Sequence, residues 1–167
     1  MKKAFLTALM VVGLSMLPVF SGCSSEAGEG FAIYLTKNKI LAAQVPALNH
    51  IELADAPLIS GDDIILYYRD THKIELIPEA FERLKAFTVP TFGEVFVVCV
   101  DKQPVYSGVF RVAWSSYLNQ GVSITIPFLS KSNTIQLGFL NLDDSPLEDP
   151  RSNLVIMGSL EKAGKLK

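Results

Sequence analysis

Apolar and polar positions alternate with a two-residue period through much of this chain, and that alternation predicts strands. Phe31-Ala-Ile-Tyr-Leu35 opens the series as an aromatic and β-branched run. A short strand is expected over 50–53, broken by Pro57. Residues 64–68 and 73–77 follow, the second alternating as Ile74-Glu75-Leu76, with Arg69-Asp70-Thr71-His72 as the hairpin connection. Tyr67 and Tyr68 must point to opposite faces of their strand. Residues 93–101 carry the strongest strand signal; Asp101-Lys-Gln-Pro104 turns it and 105–112 returns antiparallel. Two more alternating stretches lie at 121–127 and 134–140.

The period changes in a few places. Residues 39–48 mix apolar positions around Pro46, which fits one helical turn and a loop. Ser60-Gly-Asp-Asp63 offers hydroxyl and carboxylate caps for a single turn. Pro78 sits at a helix start, with Glu79 in the first turn, Phe81 and Leu84 on one face and Lys85 near the end. Asp149-Pro150 reads as an N-cap with proline behind it, and Leu154, Met157 and Leu160 recur at helical spacing up to Gly164. The expected fold is α+β: a mainly antiparallel sheet with one or two helices in a single small domain.

The first residues break the pattern altogether. Lys2 and Lys3 precede an uncharged, mostly apolar run over 4–20, and small Ser21 and Gly22 stand directly before Cys23. A basic start, an apolar middle and a small-residue cleavage site make up a secretory signal peptide. The run is about 17 residues, short of the roughly 20 a permanent span needs. Phe20-Ser21-Gly22-Cys23 resembles the lipobox of bacterial lipoproteins, with Phe20 where that family prefers an aliphatic residue. The resemblance implies that Cys23 takes a diacylglycerol and becomes the N-terminus. It divides the chain into a signal peptide (1–22), a flexible tether (23–30) and an extracytoplasmic domain (31–167). An uncut anchor helix, or ordinary cleavage after Ala27, are the alternatives. Ser24 behind the cysteine carries no aspartate signal for inner-membrane retention, so the anchor membrane is the cell membrane or the outer membrane.

Composition narrows the partners. Taking off 1–22 leaves 145 of the 167 residues, enough for one domain with a core, and moves the formal charge from -2 to -4. Such acidity argues against a nucleic-acid binder, which would show a basic patch. Cys99, inside Val-Phe-Val-Val-Cys-Val, is left without a disulfide partner and is expected to be a buried small hydrophobe with a raised pKa.

Over 53–126 the order of elements resembles the periplasmic first head domain of the protein-export subunit SecD. Pro57-Leu58-Ile59 with Asp62-Asp63-Ile64 is similar to its opening strand, and residues 74–84 to its strand and short helix. Phe96 to Asp101, Val105 to Phe110 and Gly121-Val-Ser-Ile124 are similar to its hairpin and glycine-led strand. The resemblance implies a small extracytoplasmic head fold, and favours a binding module over an enzyme.

Candidate chemistry is sparse. His50 and His72 are the only histidines; His50 and Glu52 put two ligand types on one strand face, with no third in view. No G-x-S-x-G elbow places a nucleophile. Asp143, Asp144, Glu148 and Asp149 gather in a loop that reads as solvated acid or as oxygen ligands for a cation, without the spacing of a calcium loop. No catalytic residue, metal or cofactor is assigned. Phe110, Trp114 and Tyr117, among Ser115, Ser116, Asn119 and Gln120, are expected in the loop after the central hairpin. Trp114 and Tyr117 are the candidate binding residues, because rigid rings give contact area at low entropy cost; the other reading is that the lone tryptophan plugs the core. The chain is thus expected to be a membrane-anchored, non-catalytic binding module of the cell envelope, with the membrane and an envelope protein as partners. The alternatives are an envelope hydrolase using His50 or His72, and a purely structural envelope lipoprotein.

Overall fold

The computed structural model describes residues 28–116, 118–127, 130, 132–142 and 147–167. Cys23, Tyr117, Asp143 and Asp144 lie outside the described residues. Seven strands form one sheet: β1 (Phe31–Leu35), β2 (Ile64–Tyr68), β3 (Lys73–Leu76), β4 (Glu94–Val100), β5 (Gln103–Arg111), β6 (Gly121–Thr125) and β7 (Thr134–Leu140). Their order is β1-β4-β5-β6-β7-β3-β2, and every neighbouring pair is antiparallel except β5 and β6. Among the described residues there are two α-helices, α1 (Pro78–Ala86) and α2 (Leu154–Lys162). The α+β expectation is met.

The sheet curls. Strand β7 pairs with β3 through its first residues (Thr134, Ile135, Gln136) and with β6 through its last (Leu137 to Leu140). The curl brings the outer strands together, so that the Phe31 ring of β1 meets Tyr67 of β2 edge-on at 6.3 Å. Both edges are covered by short pairings. Ile33 N–H donates to the Ile59 carbonyl (2.8 Å) on one side; on the other, Tyr67 N–H donates to Lys165 (2.7 Å) and Lys167 N–H to Tyr67 (2.9 Å). Covered edges offer no template for another strand.

Strand β4 shows why its sequence alternates so little: all seven of its residues are buried. Phe96, Val98 and Val100 face the main core with Phe81 and Leu84 of α1 and Ile156, Met157 and Leu160 of α2. Val97 and Cys99 face the other way, onto Ala32, Tyr34 and Ile51 under the 36–56 segment. A strand buried on both sides must be nearly all apolar, and its one charge, Glu94 at the start, is paired with Lys39 at 3.2 Å. Cys99 is free and fully buried, and burial, with the Glu29 charge behind it, pushes its thiol up to about 11.

Four local expectations need correction. His50 is not on a strand but ends a 3₁₀ turn, Leu48–His50, and Leu53 makes only an isolated bridge to Thr36. Asp149 does cap, accepting from Arg151 N–H at 3.1 Å, but what it caps is the 3₁₀ turn Pro150–Ser152. Helix α2 starts later, with Asn153 accepting from Val155 N–H. That phase buries Ile156, Met157 and Leu160 and leaves Leu154 in solvent. Phe110 is not in the loop: it is on β5 in the core, 4.7 Å from the Phe96 ring.

Candidate functional site

Where β5 ends, the chain turns outward and presents its only tryptophan. Val112 is the last inward residue; Ala113 and Trp114 then form a turn closed by Ser115 N–H on the Val112 carbonyl (3.1 Å). Buried Ser115 pins the turn by donating its hydroxyl to the Thr91 carbonyl at 2.8 Å, and an Arg111 guanidinium nitrogen reaches the Ser115 carbonyl at 3.4 Å. Trp114 is 66% exposed, so the core-plug reading fails.

Beside the indole lies a hollow of about 270 Å³, lined by Lys85, Ala86, Phe87, Thr88, Val89, Val112, Trp114 and Ile126. Helix α1 builds one wall as it runs out: Phe87 N–H bonds the Leu84 carbonyl, the helix stops, and Phe87 turns inward against Phe110 at 5.6 Å. Val112 and Ile126, tied by Ile126 N–H to the Arg111 carbonyl at 2.8 Å, supply the opposite wall. The wall is mostly hydrocarbon, with the Thr88 hydroxyl as a polar mark. The Lys85 ammonium is held by Glu82 at 2.8 Å and lies 5.7 Å over the Phe81 ring. A concave, mostly apolar surface with a few polar groups at its edge has the shape and chemistry of a site for an apolar group.

The candidate residues are therefore separated by outcome. Trp114 lines a cavity. His50 is exposed on its 3₁₀ turn, on the segment over the outer face of β1 and β4. His72 closes the β2–β3 hairpin in the left-handed region (φ 50) and shares a 3.0 Å hydrogen bond between Nδ1 and the Tyr67 hydroxyl. Behind them Arg151 chelates Asp149 through Nε (2.9 Å) and a terminal nitrogen (2.7 Å) and donates to the Leu137 carbonyl. Burial and then the Arg151 charge lower the His72 pKa; burial pushes the Tyr67 phenol far up, and the Arg151 hydrogen bonds hold Asp149 low. Among the described residues the imidazole's side-chain hydrogen-bond partner is the Tyr67 phenol, and the Asp149 carboxylate is already occupied by the Arg151 guanidinium. Of the acidic loop, Asp149 is paired with Arg151, while Asp143 and Asp144 lie outside the described residues.

The hollow itself was invisible in the sequence. Only its tryptophan stood out, while Phe87, Val89 and Ile126 look like any core residues. No family model gives a match to the chain, and no curated protein and no solved structure matches it significantly. The fold and the site define a small α+β domain with an apolar hollow beside an exposed tryptophan.

Proposed function

We propose that this chain is a lipid-anchored extracytoplasmic lipoprotein whose domain binds an envelope protein without catalysis, seating an apolar side chain of that partner against Trp114. The observation that carries the reading is an exposed tryptophan standing over an apolar hollow. A monomeric domain gains nothing by leaving its largest ring in water, whereas buried tryptophan is enriched at the centres of interfaces. The signal peptide and the lipobox-like Phe20-Ser21-Gly22-Cys23 support the anchor and the extracytoplasmic side.

The test is photo-crosslinking in intact native cells, with the reactive side chain at exposed Thr88 on the rim. One partner should be captured reproducibly, lost with Trp114→Ala and retained with Trp114→Phe. Capture of the same proteins by wild type and Trp114→Ala would remove the hollow from the function. In parallel, Cys23→Ala should abolish lipid labelling and release the protein from membranes; unchanged labelling would overturn the anchor.

A further inference from the structure

Chain direction and one unpartnered patch meet at the end of the sheet opposite Trp114. The first described residues are fixed there: Gly30 N–H donates to Asp101 Oδ1 at 2.8 Å, and Asp101 N–H to the Gly30 carbonyl at 2.9 Å. A Cβ on Gly28 would collide with the Asp101 carboxylate, so this close approach requires glycine. Gly28, Gly30 and Asp101 line one side of an open depression, and Leu154, Val155 and Lys162 of α2 line the other.

Leu154 and Val155 form the ridge of that surface, 86% and 58% exposed. The Asn153 cap holds the ridge, its side chain accepting from Val155 N–H at 2.9 Å, while Ile156 and Met157 behind it are buried. Leu and Val thus stand in water on the first turn of a rigid helix. Only five Cα steps separate Cys23 from Gly28, a reach of at most about 18 Å.

We infer that Leu154 and Val155 dip into the bilayer that holds Cys23, making α2 a second membrane contact that orients the domain. The inference rests on the lipoprotein reading above. A tether this short, leaving from the rim of the depression, holds the ridge against the lipid surface. There the two side chains can leave water for the boundary between headgroups and acyl chains. Lys162, at the edge of the same depression, provides a cation for lipid phosphates.

The test uses the full-length lipidated protein in phosphatidylethanolamine/phosphatidylglycerol vesicles carrying doxyl-labelled lipid. An environment-sensitive fluorophore is placed by Leu154→Cys, or by Ser116→Cys beside Trp114 as the control. Buried Cys99 does not compete for the label, and the Cys23 thiol is consumed by its lipid. The label at 154 should shift to the blue and lose intensity to doxyl lipid, while the label at 116 does neither. An unquenched label at 154, or equal quenching at both positions, overturns the inference; the first result would leave the ridge facing solution, open to a protein. The mass of the Cys23 peptide separates the failures. With lipid present and no quenching, only the membrane contact falls; without lipid on Cys23, the anchor and this inference fall together.

Discussion

Single residues here behave according to what surrounds them more than to what they are. Trp114 and Phe110 read alike in the sequence, four residues apart, yet one is a surface ring and the other a core ring. No periodicity could separate them, because the bend after Arg111 is set by Ser115 reaching back to Thr91, a contact spanning 24 residues. Trp114→Ala should therefore leave stability within about 0.5 kcal/mol of wild type in denaturant unfolding, as for an ordinary surface change. Gly108→Ala is the opposite case. Its Cβ would run into the Phe96 ring lying across it from β4, so a loss of about 1–3 kcal/mol is expected in the same assay. His72 gives a pH signature. Its folded pKa lies below the unfolded value of about 6.5, so the unfolded chain binds the proton more readily. Stability should fall as pH drops from neutral through 6.5 toward the lowered folded value, then level off for this group. His72→Gln should flatten that part of the profile; Asp149, held low by Arg151, acts only at more acid pH.

Elements were far more legible than residues. Alternation located the half-buried strands, unbroken apolar and β-branched runs located β1 and β4, and Pro78 with Phe81 and Leu84 marked α1. Reading failed where several phases fitted one composition. Leu154, Val155, Ile156 and Met157 are all apolar, and only the Asn153 cap decides which of them turn inward. At 50–53 the apolar residues cover the outer face of β1 and β4 without entering the ladder, a tertiary role with no local signature. The β4–β5 turn was legible and carries its own test. Asp101 and Lys102 both have positive φ (51 and 62), the signature of a two-residue hairpin turn that favours glycine. Lys102→Gly should stabilise the domain by up to about 1 kcal/mol, measured by thermal melting; the 4.0 Å contact it gives up, from Lys102 to Glu29, contributes little at the surface.

At the scale of the molecule, the curl of the sheet leaves two strand edges that must be protected. One is closed by Ile59 on β1, the other by residues 165–167 on β2. Stopping the chain after Gly164 would bare the Tyr67 N–H and C=O and uncover the side of β2. Such a variant should melt lower than the full chain and associate with rising concentration, visible by light scattering.

The β4–β5 hairpin runs from the Asp101–Lys102 turn, beside which Gly30 is held, to the loop that carries Trp114. Seven residues of strand cover about 23 Å. Were the domain anchored as proposed, this hairpin would be a ruler with a fixed standoff, its base at the lipid and its tip held at one altitude. A partner of Trp114 would then have to come to that altitude, and added tether length would let the tip wander without altering a single atom of the hollow.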